Sequence, residues 1–199
     1  SALQAYAQVS PTGKRITDGS IHALVGENGA GKSTLMKILS GQYTPDLGKV
    51  YIAGSEVLEF TPFNAKKRGV AMIYQELNLL NNLTVVENLF LGRERLNSNF
   101  FIDENTQVEE CEKVLKRINA PFGANDIVRD LPLAQKQMVE LAKALLEKAE
   151  IIVMDEPTTA LEKEEIKNLF SIIGNLKKEG VGIIYISHRM EEIFEIGDR

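Results

Sequence analysis

The sequence predicts an α/β fold with a mainly parallel sheet at its core and a helical subdomain inserted into it. Two short, uninterrupted apolar runs, Ile151 to Met154 and Val181 to Ile186, have the length and composition of fully buried parallel strands. Between them Ile166, Leu169, Phe170, Ile173 and Leu176 recur at helical spacing, so strand, helix and strand follow in the order of a right-handed crossover. From Thr84 to about Ile118 the pattern turns to helices broken by an Asn- and Arg-rich stretch, which marks the insertion.

Along the chain, Ile21 to Val25 reads as a strand and Ser33 to Leu39 as the helix after it. Two further strands, Val50 to Ala53 and Val70 to Tyr74, are separated by Gly54, Pro62 and a short polar segment expected to form a turn and a partial helix. The insertion is broken at Gly92 to Asn99 and again at Pro121, Phe122 and Gly123. Met138, Leu141, Ala142 and Leu145 form the stripe of a helix that leads back to the sheet, and Gly180 stops the helix before the last strand. The expected division is residues 1–83 for the first part of the core, 84–146 for the helical subdomain and 147–199 for the second part of the core.

With 199 residues, 44% hydrophobic and 26% charged, the chain has the composition of a folded domain. Its net charge of -5 argues against a broad nucleic-acid footprint, because phosphate backbones are bound by basic surfaces. No apolar run approaches the roughly 18 residues of a membrane-spanning helix, and no secretion signal opens the sequence, so a cytosolic location is expected, with a membrane partner allowed. Cys111 is the single cysteine, which excludes an internal disulfide and a thiolate cluster. Its spacing with Val108, Leu115 and Ile118 puts it on an apolar helix stripe.

The strongest chemical signal is Gly26-Glu27-Asn28-Gly29-Ala30-Gly31-Lys32-Ser33, a complete G-x-x-x-x-G-K-[ST] phosphate-binding loop between a strand and a helix. Its glycines let backbone N–H groups turn inward around phosphate oxygens, and the helix dipole adds to that attraction. Lys32 supplies a mobile cation for the β- and γ-phosphates and the Ser33 hydroxyl one position on Mg²⁺; Thr34 closes the segment, its side chain left to cap or pack. The ligand this pattern implies is a nucleoside triphosphate.

Asp155 and Glu156 follow directly on a buried strand and precede Pro157. Ligands of open α/β sheets collect at the carboxyl ends of strands. Successive side chains of a continuing strand point to opposite faces, so both acids serve one site only if the strand ends there; Pro157, which donates no ladder hydrogen bond, favours that. Asp155 is the candidate Mg²⁺ ligand and Glu156 the candidate base for the attacking water, against the alternative of an ordinary solvated strand end. His188 ends the last strand and has an imidazole available for a γ-phosphate oxygen or the water, unless it is simply exposed. Gln75, at the end of its strand, could reach the Mg²⁺ and water shell.

Taken in order, these residues resemble the ATP-binding cassette (ABC) ATPases. The phosphate loop is at Gly26 to Ser33, a glutamine loop at Gln75, the signature position at Leu131-Pro132-Leu133-Ala134-Gln135, the acidic pair at Asp155-Glu156 and a switch histidine at His188. Within that family the segments Ile21 to Leu39, Pro157-Thr158-Thr159-Ala160-Leu161 and Ile184 to Arg189 are most similar to importers of ribose, galactose or xylose, with nucleoside importers also similar. The resemblance implies a P-loop NTPase core with a small antiparallel strand layer, ATP and Mg²⁺ as cofactors, and head-to-tail pairing of two nucleotide-binding domains. In such a pair the signature residues Leu133, Ala134 and Gln135 contact nucleotide held by the other domain. It also implies docking on a membrane permease at the cytoplasmic face, with a solute-binding protein as an indirect partner. Near the glutamine loop, Leu77, Leu79, Leu80 and Leu83 either anchor that loop or face the permease.

The family's usual signature has a serine and a glycine where this chain has Pro132 and Ala134. Loss of the serine hydroxyl is expected to weaken the composite site by on the order of 1 to 3 kcal/mol, while Pro132 remains able to start a helix. Before the loop Tyr6 is the only aromatic available to stack on adenine. Family members continue past the switch histidine with further strands, so a fragment is expected, the first of two cassettes on one polypeptide. Two other functions compete with a sugar-import ATPase: a regulatory module that binds ATP and hydrolyses it slowly, against which Glu156 argues, and a cassette ATPase working on DNA or ribosomes, against which the acidic balance argues.

Overall fold

The computed structural model describes residues 8–9, 14–15, 19–25, 31–52, 54–98 and 100–198. Tyr6, Gly26, Glu27, Asn28, Gly29, Ala30 and Ala53 lie outside the described residues. The chain divides into two compact units. One comprises the described residues through Gln75, Ala149–Thr159, and those from Ile166 onward; the other comprises Glu76–Lys148 and Ala160–Glu165.

The first part of the chain supplies β1 (Gln8–Val9), β2 (Lys14–Arg15), β3 (Ile21–Leu24), α1 (Lys32–Leu39), β4 (Val50–Ile52), β5 (Ser55–Glu56), α2 (Pro62–Lys67) and β6 (Val70–Ile73). The second unit is helical, with α3 (Val85–Phe90), α4 (Glu104–Arg117), a 3-10 turn at Val128–Asp130 and α5 (Leu133–Leu146). The chain then forms β7 (Ile151–Asp155), α6 (Lys163–Lys178), β8 (Gly182–Ile186) and α7 (Met190–Ile196).

Two four-stranded sheets result. One is antiparallel in the order β2-β1-β4-β5, the small layer that the resemblance implies, and the other is parallel in the order β3-β8-β7-β6. The two central strands read as apolar runs because both of their faces are covered: Ile151 through Met154 and all of β8 are buried. Alternation sends Ile151 and Val153, with Ile184 and Ile186, into a cluster with Met36 and Leu39 of α1 and Val50 and Ile52 of β4. Burial of this shared face joins the parallel sheet to the antiparallel layer.

Local signals set the helix ends. The hydroxyl of Thr61 caps α2 by accepting from Asn64 N–H at 3.2 Å, and Pro62 occupies the first helical position, so the polar segment forms a complete short helix. After α6, Gly180 adopts φ 94, its N–H donates to the Lys177 carbonyl and that of Val181 to the Leu176 carbonyl. This is a Schellman stop, and it sets the direction in which β8 begins. Sequence reasoning identified neither β5 nor α7.

In the second unit, Thr84 and Glu87 form a reciprocal capping box on α3. Cys111 is fully buried in α4, and burial pushes its thiol up to about 12. The segment ahead of α3 is fastened from two sides. Asn88 accepts from Leu80 N–H at 2.7 Å and donates to the carbonyls of Leu80 and Thr84. Glu140 of α5 accepts from Asn78 N–H at 2.9 Å. Leu77, Leu79 and Leu83 are half-buried, while Leu80 is 49% exposed.

Candidate functional site

Parallel register aligns three strand ends on one edge of the sheet, since Ile186 of β8 pairs with Leu24 of β3 on one side and Asp155 of β7 on the other. The chain leaves all three strands towards this edge. After β3 it passes through 26–30 to Gly31, which is the N-cap of α1 in a left-handed conformation, φ 89, that glycine adopts without penalty. Lys32, Ser33 and Thr34 then form the first turn of α1; Lys32 is half-buried, and Ser33 and Thr34 are exposed.

β7 ends at Asp155, and Glu156 adopts φ 47, a left-handed turn rare for a residue with a side chain. This turn breaks the strand alternation that would have sent the two acids to opposite faces. Glu156 N–H donates to the Ile186 carbonyl at 2.9 Å, which ties the turn to the end of β8. Burial raises the pKa of the Asp155 carboxyl, the adjacent Glu156 charge raises it further, and the Lys32 ammonium draws it back. The Lys32 cation therefore acts on the same carboxyl that Glu156 repels.

His188 lies two residues beyond β8, with its imidazole Nδ1 3.1 Å from Glu156 Oε1. A carboxylate only accepts, so Nδ1 carries the proton in this pair, and Nε2 donates to a second acceptor only when the ring is an imidazolium. The histidine side chain is 60% exposed and that of the glutamate 22%, so the pair opens towards solvent on the histidine side. Gln75 follows Tyr74 at the end of β6, whose Ile73 pairs with Met154, and is exposed beside that edge. Lys32, Asp155, Glu156 and His188 thus gather at one edge of the first unit. Leu133, Ala134 and Gln135 form the first turn of α5 in the second unit, and Pro132 stands one position earlier than a first-turn proline, as the N-cap, with no side-chain cap.

Sequence reasoning missed a third carboxylate, beneath this edge. Glu192 of α7 is buried and accepts hydrogen bonds from Thr158 Oγ1, Tyr185 Oη, Ser187 Oγ and Arg189 Nη1. The available signal was a glutamate four residues after His188 in a segment with apolar Ile193 and Ile196 at helical spacing.

A protein-family model described as ABC transporter matches residues 11–159. The ribose import ATP-binding protein RbsA 1 of Burkholderia ambifaria is 50% identical over 202 residues, an alignment that covers 100% of this chain and 38% of that protein. A Rhizobium johnstonii protein named for ribose/galactose/methyl galactoside import is 48% identical over 184 residues, covering 92% of this chain and 36% of that protein. The chain therefore spans well under half the length of these curated relatives. Among solved structures, the ADP conformation of MJ1267, an ATP-binding cassette of an ABC transporter, superposes with a TM-score of 0.83 at 22% identity, covering 100% of this chain and 86% of that one. The cbiO1 protein of Clostridium perfringens, part of the transporter complex cbiONQ, gives 0.79 at 20% identity, covering 98% of this chain and 82% of that one.

Proposed function

The chain belongs to the ABC transporter family, and on that premise we propose that it is a nucleotide-binding domain that hydrolyses ATP to drive uptake of a sugar through a membrane permease. The observation that carries the hydrolytic part is the 3.1 Å pairing of Glu156 with His188, beside an Asp155 carboxyl that feels the Lys32 charge. The sugar part rests on the names of the relatives, which point to ribose or galactose as the first solutes to try.

In this reading Gly26, Glu27, Asn28, Gly29, Ala30 and Gly31 present backbone N–H groups to the phosphates, and Lys32 neutralises charge on the β- and γ-oxygens. Ser33, Asp155 and Gln75 supply hard oxygen donors at one sheet edge, a set that suits Mg²⁺ better than a softer metal. Bound there, the metal would offset phosphate charge. Glu156 accepts the proton of the attacking water, and its partial burial keeps that oxygen poorly hydrated. His188 orients the Glu156 carboxylate through Nδ1 and is the group proposed to meet the γ-phosphate.

Leu133, Ala134 and Gln135 form the first turn of α5, whose N–H groups have no intrahelical acceptor and suit an anion brought by a second cassette in a head-to-tail pair. The segment carrying Leu80 is the proposed contact with the permease, and a solute-binding protein completes the assembly from the other side of the membrane. Among the described residues no helix is long and apolar enough to cross a membrane; the proposed location is peripheral, at the cytoplasmic face.

The test uses the full-length protein assembled with its permease in vesicles, with the solute-binding protein supplied at the opposite face. Release of γ-phosphate and uptake of labelled ribose or galactose are measured for the wild type, Glu156→Gln and Lys32→Ala. Glu156→Gln is expected to keep MgATP affinity and lose about 10²- to 10⁴-fold in turnover, whereas Lys32→Ala loses affinity. Equal turnover in the wild type and Glu156→Gln would overturn the hydrolytic role, and ATP turnover without sugar-stimulated uptake would overturn the transported class.

A further inference from the structure

We propose that Glu192 is a positioning residue for hydrolysis, a buried clamp that holds the loop bearing Glu156 and the loop bearing His188 at a fixed separation. The proposal deepens the hydrolytic reading and rests on it. Thr158, two residues after Glu156, places Oγ1 2.7 Å from both carboxylate oxygens of Glu192. Ser187 and Arg189, the two neighbours of His188 in the chain, reach the same carboxylate through Ser187 Oγ at 3.0 Å and Arg189 Nη1 at 3.2 Å. Tyr185 of β8 adds its hydroxyl at 2.9 Å. Ser187 Oγ also accepts from Arg189 N–H at 3.0 Å, which folds the chain tightly around His188.

Burying a carboxylate is unfavourable unless its lone pairs are filled. A carboxylate offers about four acceptor positions, and here four donor groups meet it from the loop after β7, from β8 and from the turn between β8 and α7. A fastening of α7 alone would not need Thr158. The link from Thr158 to Glu192 spans 34 positions of sequence and pins the Glu156 loop to the same plane of oxygens that pins both sides of His188. Glu156 and His188 themselves lie closer to solvent, so their 3.1 Å separation depends on the loops that carry them.

The experiment compares steady-state ATP hydrolysis and local amide exchange in the full-length protein with its permease, for the wild type, Glu192→Gln, Thr158→Val, Thr158→Ser and the Glu156→Gln control. Thr158→Val removes the hydroxyl at nearly constant shape, so it reads the clamp even where Glu192→Gln folds poorly. Both clamp variants are expected to lower kcat about tenfold with KM for MgATP within about twofold, and Thr158→Ser to restore the rate. Hydrogen exchange is expected to quicken in residues 156–159 and 187–189 while β7 and β8 stay protected. Wild-type kcat in Thr158→Val, or a kcat loss accompanied by loosening of the whole sheet, would overturn the proposal. Glu156→Gln as active as the wild type would sink the hydrolytic reading and the clamp's purpose together; an inactive Glu156→Gln beside fully active clamp variants would sink the clamp alone.

Discussion

Glu156 combines two demands that conflict in an ordinary strand end. Its side chain serves the same edge as Asp155 only if strand alternation is broken, and its backbone breaks that alternation at φ 47. The left-handed region costs a residue with a Cβ about 1 to 2 kcal/mol, which the Ile186 carbonyl helps to offset by accepting Glu156 N–H. Glu156→Gly is therefore expected to be more stable than Glu156→Ala by about 1 kcal/mol, read from urea unfolding midpoints; equal midpoints would mean that the turn is unstrained.

Glu140 carries a cost of a different kind. Burial raises its pKa, while the nearby Lys143 charge and the hydrogen bond from Asn78 pull it back. Between the ordinary glutamate value and the raised one, the folded protein holds a proton that the unfolded chain has released. Stability therefore falls as pH rises through that interval and levels off above it. Glu140→Gln keeps an oxygen for Asn78 N–H and should flatten this decline, measured as the urea midpoint from pH 4 upward. A decline as steep as in the wild type would assign it to another group.

Among the elements, α5 begins without the serine or aspartate that usually starts a helix. Pro132 stands at its N-cap with φ -57 and ψ 159, and offers only its carbonyl, which accepts from Lys136 N–H at 3.0 Å. The N–H groups of that first turn have no intrahelical acceptor and suit an incoming anion. Pro132→Ser would add a hydroxyl that has two competing uses. Capping its own helix would raise stability by about 1 kcal/mol, whereas reaching nucleotide on a second cassette would tighten ATP-driven pairing by about five- to a hundredfold. Pairing strength by sedimentation with MgATP distinguishes them, and unchanged pairing would end the idea that the proline weakens the composite site.

Across the first unit, stability and function meet in the parallel sheet. Ile152 is fully buried in β7, between β6 and β8, and the same strand delivers Asp155 to the site. Ile152→Ala is expected to destabilise the protein by about 2 to 5 kcal/mol through lost burial and the cavity left behind, lowering the urea midpoint at constant slope. A loss below about 1 kcal/mol would indicate that neighbouring side chains collapse into the space.

The apolar runs at β7 and β8, the stripe of α6 and its Gly180 stop were legible because each is a property of neighbours in sequence: period, length and a glycine, which takes a positive φ without penalty. The place of the acid pair at the end of β7 was legible for the same reason, as a fixed spacing after an apolar run; the phosphate-loop pattern is a spacing of the same kind, and its residues 26–30 lie outside the described residues. β5 was not, because two residues make too short a run for periodicity, and they become a strand only by pairing with β4. Nor could the left-handed turn of Glu156, the contact of His188 with it, or the gathering of Thr158, Tyr185, Ser187 and Arg189 on Glu192 be read in advance. Those depend on parallel register, which brings residues some thirty positions apart to one sheet edge, and on burial, which obliges a carboxylate in the interior to find its donors wherever the packed chain supplies them.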